Sequence, residues 1–172
     1  MGPTIGRMAA DDVDRIVSAW RRERPDLDVS PLEVLSRVSR LARRLDRARG
    51  TAFAEHRLDG WEFDVLSALR RAGTPYELSP GQLVSETLVT SGTMTNRVDR
   101  LAARGLVERH PAPNDRRGVI VRLTPEGMTV VDAALADLIA HEQALLGDLG
   151  TDERADLSAL LRRLLQPFET EG

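Results

Sequence analysis

Between residues 79 and 127 two short helix patterns stand back to back and two strand patterns follow at once, an order that few folds accept. Ser79, Pro80 and Gln82 form a capping box with proline at the first helical position, so a brief helix starts there and runs to about Glu86. Thr90 or Ser91 caps a second helix, with Met94, Val98 and Leu101 on its apolar side and Gly105 as its stop. Leu106–His110 and Gly118–Leu123 read as strands, with Val119, Val121 and Leu123 on one face. The turn between them carries Asn114-Asp115-Arg116-Arg117 and is made to protrude by Pro111 and Pro113.

Helix, helix and wing is a geometry suited to duplex DNA. The second helix is free to enter a major groove, and an arginine-tipped hairpin suits the electronegative minor groove beside it. Ser91, Gly92, Thr93 and Thr95 keep the leading end of that helix small and hydrogen-bonding, so its backbone can come close to the bases. Thr methyls can touch thymine, Asn96 can pair with adenine and Arg100 with guanine. The candidate DNA contacts are therefore Ser91, Thr93, Thr95, Asn96, Arg100, Asp115, Arg116 and Arg117. Within the wing, an Asp115–Arg117 pair could brace the loop and leave Arg116 projecting, or the reverse.

A net charge of −3 argues weakly against nucleic acid, but the distribution reverses that. In residues 90–123 seven arginines face Asp99, Glu108 and Asp115, leaving +4, whereas residues 124–172 carry −7. A basic segment in an acidic protein is the local footprint that DNA binding needs.

The flanks are predicted to be helical. A short helix spans Asp11 to about Arg22, with Val13, Ile16, Val17 and Trp20 on one face. Ser30 caps the next, which runs from Pro31 to about Arg57 with a stripe through Val34, Leu35, Val38, Leu41, Leu45, Ala48 and Ala52. Residues 60–72 form another, with Trp61, Val65, Leu66 and Leu69 inward. Thr124-Pro125-Glu126 opens a helix to about Leu146, and Thr151 caps a last, leucine-rich one that Pro167 should end. The division expected is an N-terminal extra helix and dimerisation helix (1–57), a winged helix-turn-helix DNA-binding domain (58–123) and C-terminal dimerisation helices (124–172). The fold class is mainly α with a small β-wing. The end helices carry more apolar surface than the middle can cover, which predicts a homodimer with an interface above roughly 2,000 Å².

Other classes find little support. No cysteine is present, no apolar run approaches the length of a membrane span, and the N-terminus does not read as a signal peptide, so a cytoplasmic protein is expected. His56, His110 and His141 lack metal-ligand spacing, and no nucleophile–base pattern or phosphate loop stands out. No metal, cofactor or enzymatic activity is expected.

The segments Asn96-Arg97-Val98-Asp99-Arg100-Leu101, Gly105-Leu106-Val107, Asp115-Arg116-Arg117 and Leu123-Thr124-Pro125-Glu126-Gly127 resemble the MarR family of bacterial transcription regulators. The likeness spans roughly residues 32–166 and is most specific over 93–127. It implies a homodimer, triangular in outline, that binds pseudopalindromic operators. Most members repress, and a small ligand releases the DNA. Upstream, Ile16, Trp20, Glu23-Arg24-Pro25-Asp26-Leu27-Asp28 and Ser30-Pro31 resemble a subgroup with an extra N-terminal helix that answers to urate or to aconitate and citrate. That resemblance implies a site for a small anionic effector built on Trp20, on Asp64 within Glu62-Phe63-Asp64-Val65-Leu66, and on Arg97. Two other readings fit the same residues: a constitutive DNA binder in which that trio is structural, and a winged-helix protein-interaction module.

Overall fold

Helix starts in this chain are written by short polar side chains, and most of them act as the sequence suggests. The computed structural model describes residues 10–112 and 115–169, with the side chains of residues 115–117 and 169 outside the description. Its elements run α1 (Asp12–Glu23), α2 (Pro31–Glu55), α3 (Gly60–Arg71), β1 (Glu77–Leu78), α4 (Pro80–Thr87), α5 (Ser91–Ala103), β2 (Val107–Ala112), β3 (Asp115–Leu123), α6 (Pro125–Leu145) and α7 (Thr151–Glu169). Asp11 caps α1, Ser79 with Gln82 boxes α4, Thr90 caps α5 and Thr124 caps α6, each accepting from a backbone N–H of the first turn. Ser30 departs from the expectation. Its hydroxyl donates to Asp28 Oδ2 at 3.1 Å, and Glu33 pairs with Arg21. Thr151 departs too, being the first residue of α7 and not its cap, and so does Pro167, which lies inside α7 as it continues to Glu169. One missing backbone donor does not stop a helix that is already in its last turn.

The chain forms two compact units, one ending at Ala48 and one beginning at Arg49, with α2 contributing to both. In the first, Val13, Val17 and Val29 pack with Leu32. Arg37 clamps α1 by donating to Asp11 Oδ2 at 2.9 Å and to Asp14 Oδ1 at 2.7 Å. The hydrogen bond from Arg37 holds the Asp11 carboxyl at about 2, below its ordinary 3.8. Val34, Leu35, Val38 and Leu41 of α2 remain exposed.

The second unit holds the main core. Leu66 and Leu69 of α3, Leu83 of α4, Met94 and Leu101 of α5, Val121 of β3 and Val131 of α6 are all fully buried. Phe53 stacks on Phe63 with ring centroids 4.2 Å apart. Arg70 grips Asp132 with two nitrogens, at 2.8 and 3.1 Å, and ties α3 to α6. On α7, Leu160, Leu164, Leu165 and Phe168 stay exposed. No helix among the described residues is long and apolar enough to cross a membrane.

The sheet has the order β1-β3-β2 and is antiparallel throughout. The strands of the wing are longer than its sequence suggests. Pro111 pairs with Val119 and Ala112 with Asp115, with an irregularity in register between the two. Pro111 is tolerated because β2 is an edge strand, where a missing N–H leaves no ladder bond broken. Asp115, Arg116 and Arg117, expected in the turn, thus begin β3, and residues 113–114 lie outside the described residues. Burial fades along β3 toward its start, from Leu123 and Val121 in the core to the exposed Val119.

Two contacts fix how α5 and α6 meet the rest of the unit. Glu62 is 3% exposed and its Oε2 accepts from Asp59 N at 2.9 Å and from Arg104 Nη1 at 2.6 Å. Arg104, the C-cap of α5, also donates to the carbonyl of Arg57 at 2.8 Å. Gly105 then turns the chain with φ +72°, a backbone state that L side chains rarely adopt. Gly127 serves differently. A methyl there would strike the Leu106 carbonyl oxygen and the Leu123 side chain, so the first turn of α6 can approach that backbone only without a Cβ.

Gly127→Ala is therefore expected to lower stability by about 2 kcal/mol through overpacking, read as a drop in denaturation midpoint with an unchanged denaturant slope. Arg104→Ala, which leaves a carboxylate buried beside one N–H, should cost about 2 to 3 kcal/mol. That is less than for a fully buried pair, because Arg104 is partly solvated. Glu62→Gln should cost less than Arg104→Ala, and the reverse ranking in urea melts would contradict the latch.

Candidate nucleic-acid interface

The turn from α4 to α5 is made by Leu88, Val89 and Thr90. Leu88 sits in the left-handed region at φ 52° and is 92% exposed. Thr90 then accepts from Thr93 N and starts α5. The helical period turns Met94, Val98 and Leu101 into the core and leaves Ser91, Gly92, Thr93, Thr95, Asn96 and Arg100 exposed, with Arg97 half-buried. Each candidate on this helix is thus placed outward. The Thr95 hydroxyl donates to the Ser91 carbonyl at 3.1 Å, which commits its proton and leaves its methyl and lone pairs outward. The hydroxyls of Thr90 and Thr93 share a hydrogen bond of 2.9 Å.

Gly92, Thr93, Asn96, Arg97 and Arg100 line a cleft of about 480 Å³ together with Trp61 of α3. Trp61 was expected inward as part of the core. It does pack, partly buried, against the main core, and it also lies beneath the arginines of α5: the guanidinium carbon of Arg100 is 4.7 Å from its ring centroid and that of Arg97 is 5.4 Å away. Phe63, further along α3, takes the core position. Trp61 Nε1 donates to Asp59 Oδ2 at 3.2 Å, and Arg100 Nη2 stands 3.8 Å from the same oxygen. The signals for this arrangement were an aromatic at the second position of α3 and an Arg-x-x-Arg spacing on α5, neither of which is specific alone.

The basic segment is not uniformly available. Arg104 is paired with Glu62, Arg109 with Asp99 at 2.8 Å and Arg122 with Glu77 at 2.7 Å. Arg109 also reaches the Thr95 carbonyl at 3.4 Å, so β2 is pinned to α5. Among the described side chains of residues 90–123, Arg97 and Arg100 are the arginines without a carboxylate within hydrogen-bond reach. Asp115, Arg116 and Arg117 have described backbones only, and their predicted contacts lie outside the described residues.

The three residues of the expected effector site are placed as follows. Asp64 is exposed on α3, and no ion pair joins it to Arg97 among the described residues, since Arg97 lies on Trp61. Trp20 is 49% exposed on α1, in the other unit. His56 Nε2 meets Asp137 Oδ2 at 2.6 Å, and His141 Nδ1 meets the Asp137 carbonyl at 2.8 Å. No cluster of three metal-ligating side chains occurs among the described residues.

Comparison with known proteins agrees with this geometry. Residues 58–118 match the MarR family profile. The chain is 39% identical to the HTH-type transcriptional regulator PecS of Dickeya dadantii, over 89% of this chain and 92% of that one. It is 33% identical to the HTH-type transcriptional repressor NicR of Pseudomonas putida, over 85% and 93%. Among solved structures, a mutant MarR from E. coli complexed with operator DNA superposes with a TM-score of 0.64 at 31% identity, covering 81% of this chain and 99% of that one. A cap-bounded helix pair, a short three-stranded wing and 39% identity along 92% of the Dickeya regulator place the chain in the MarR family of winged helix-turn-helix, DNA-binding transcription regulators.

Proposed function

We propose that the chain works in the cytoplasm as a homodimeric repressor that holds a pseudopalindromic operator and lets go when a small anionic effector binds. The observation that carries this reading is the outer face of α5, where Thr93, Asn96, Arg97 and Arg100 border one open cleft and neither guanidinium is hydrogen-bonded to an acid. Asn96 offers the donor–acceptor pair that reads adenine, and Arg100 the fork that reads guanine or phosphate. Asp115, Arg116 and Arg117 serve the minor groove from the wing. The operator-bound MarR neighbour and the repressor name of the Pseudomonas relative support the same direction.

Dimerisation rests on surface that one chain leaves uncovered. Val34, Leu35, Val38 and Leu41 on α2, and Leu160, Leu164 and Leu165 on α7, are 38% to 55% exposed, and each set follows a helical spacing. Burying them against a second copy removes an aggregation hazard and sets two recognition helices about one DNA turn, roughly 34 Å, apart. The effector reading rests on the family resemblance at Trp20, Asp64 and Arg97. An anion such as urate or a tricarboxylate attracts Arg97, which has no acid partner to give up, and so takes a cation from the DNA face.

The test is selection of duplexes from a random library with the full chain, followed by mobility shifts on the enriched sequence. A pseudopalindrome should emerge. Arg100→Ala should weaken binding about tenfold and reduce the slope of log affinity against log salt by about 1. Asn96→Ala should relax preference at one base pair of each half-site, a change of about 1 to 3 kcal/mol. Urate or citrate should release the duplex. No enriched sequence defeats the DNA reading; enrichment without release by any anion leaves a constitutive binder.

A further inference from the structure

We propose that Trp61 is a positioning residue for DNA binding, its indole face holding Arg97 and Arg100 toward one stretch of phosphate backbone with their N–H groups free. The inference rests on the DNA reading above and concerns a residue outside the helix-turn-helix itself. An arginine aimed at phosphate has to meet two opposed demands. It must be held still, or ordering it on binding costs conformational entropy. It must also keep its donors unoccupied and its charge unneutralised, or phosphate gains nothing by approaching.

The arginines of this segment show both ways of holding a guanidinium. Arg104, Arg109 and Arg122 are held by carboxylates at 2.6 to 2.8 Å, which fixes them and neutralises them together. Arg97 and Arg100 are held by a π face, at 5.4 and 4.7 Å from the ring centroid. A ring quadrupole attracts the cation without taking its N–H groups, and tryptophan does so most strongly of the aromatic residues. Two cations one helical turn apart repel each other, and a shared electron-rich face offsets that repulsion. The ring is oriented in turn, because its Nε1 donates to Asp59 Oδ2. That oxygen lies 3.8 Å from Arg100 Nη2, close enough to attract the guanidinium and too far to hydrogen-bond it. Asp59 precedes α3 directly and its N–H is bound by Glu62, so the platform stands on the same latch that fixes the end of α5.

The experiment uses the full chain and the selected duplex. Trp61→Leu should weaken binding about 5- to 30-fold, the worth of two exposed cation–π contacts, and lower the salt slope by about 1. Trp61→Phe, which keeps a π face, should recover part of both losses, and thermal melts establish that each variant is folded. If the leucine variant does not fold, 5-fluorotryptophan labelling of the wild-type chain supplies the readout. Its two fluorine resonances, from Trp20 and Trp61, are assigned with Trp20→Phe, and the Trp61 signal should shift as duplex is added. A folded Trp61→Leu chain with unchanged affinity and salt slope overturns the proposal. So does a Trp61 resonance that stays put at saturating duplex. A wild-type chain that retains no duplex defeats the underlying DNA reading instead, and that outcome is seen before any variant is made.

Discussion

Glu62 is the one charged side chain buried among the described residues, and the DNA-binding unit is organised around satisfying it. A carboxylate in that position needs donors. It takes one from the start of α3 through Asp59 N and one from the end of α5 through Arg104. Each donor belongs to an element whose placement matters, so burying one acid joins the capping of one helix to the seating of another. Arg104 extends the link to the carbonyl of Arg57, just before α3. The result is that α5 is anchored at its C-terminal end by charge, along its inner face by Met94, Val98 and Leu101, and on its flank by Arg109 reaching from β2 to Asp99.

That anchoring separates two jobs that a single residue type performs in this chain. Arginines hydrogen-bonded to acids act as fasteners, whereas Arg97 and Arg100, laid on tryptophan, keep their N–H groups free of carboxylate hydrogen bonds, with Asp59 standing 3.8 Å from Arg100. Net charge over a segment does not distinguish them. The +4 of residues 90–123 signals the right region, but Arg104, Arg109 and Arg122 put their charge into the fold. Among the described side chains of that segment, Arg97 and Arg100 are the arginines that no carboxylate hydrogen-bonds.

The legible parts of the fold were those governed by local chemistry. Ser79 with Gln82, Thr90 and Thr124 cap helices where their spacing says they should, because a cap bond depends on residues three positions away and on little else. The outward residues of α5 were legible for the same reason, since one helical period sorts them from Met94, Val98 and Leu101. What failed was governed by distance. Trp61 packs against the core as its helix pattern suggests, but its contact with Arg97 and Arg100 was not legible, because they lie more than 30 residues along the chain. Ser30 is the local exception, its N–H and hydroxyl both donating to Asp28 two residues back. The strands of the wing outran their pattern because an edge strand tolerates Pro111, where a central strand would not. Gly127 was legible as part of a motif, yet its cause, the Leu106 carbonyl pressed against the start of α6, belongs to packing.

The most direct measurement of the central claim is hydrogen exchange along the full chain with and without the selected duplex. If α5 is seated by the Glu62 latch and presents its outer face to DNA, protection should rise over residues 91–100 and in the β2–β3 hairpin. The amides around Asp59 and Arg104 should already be slow and should stay so. Fast exchange around Asp59 and Arg104 in the free protein, or protection on duplex binding confined to α6 and α7, would contradict it.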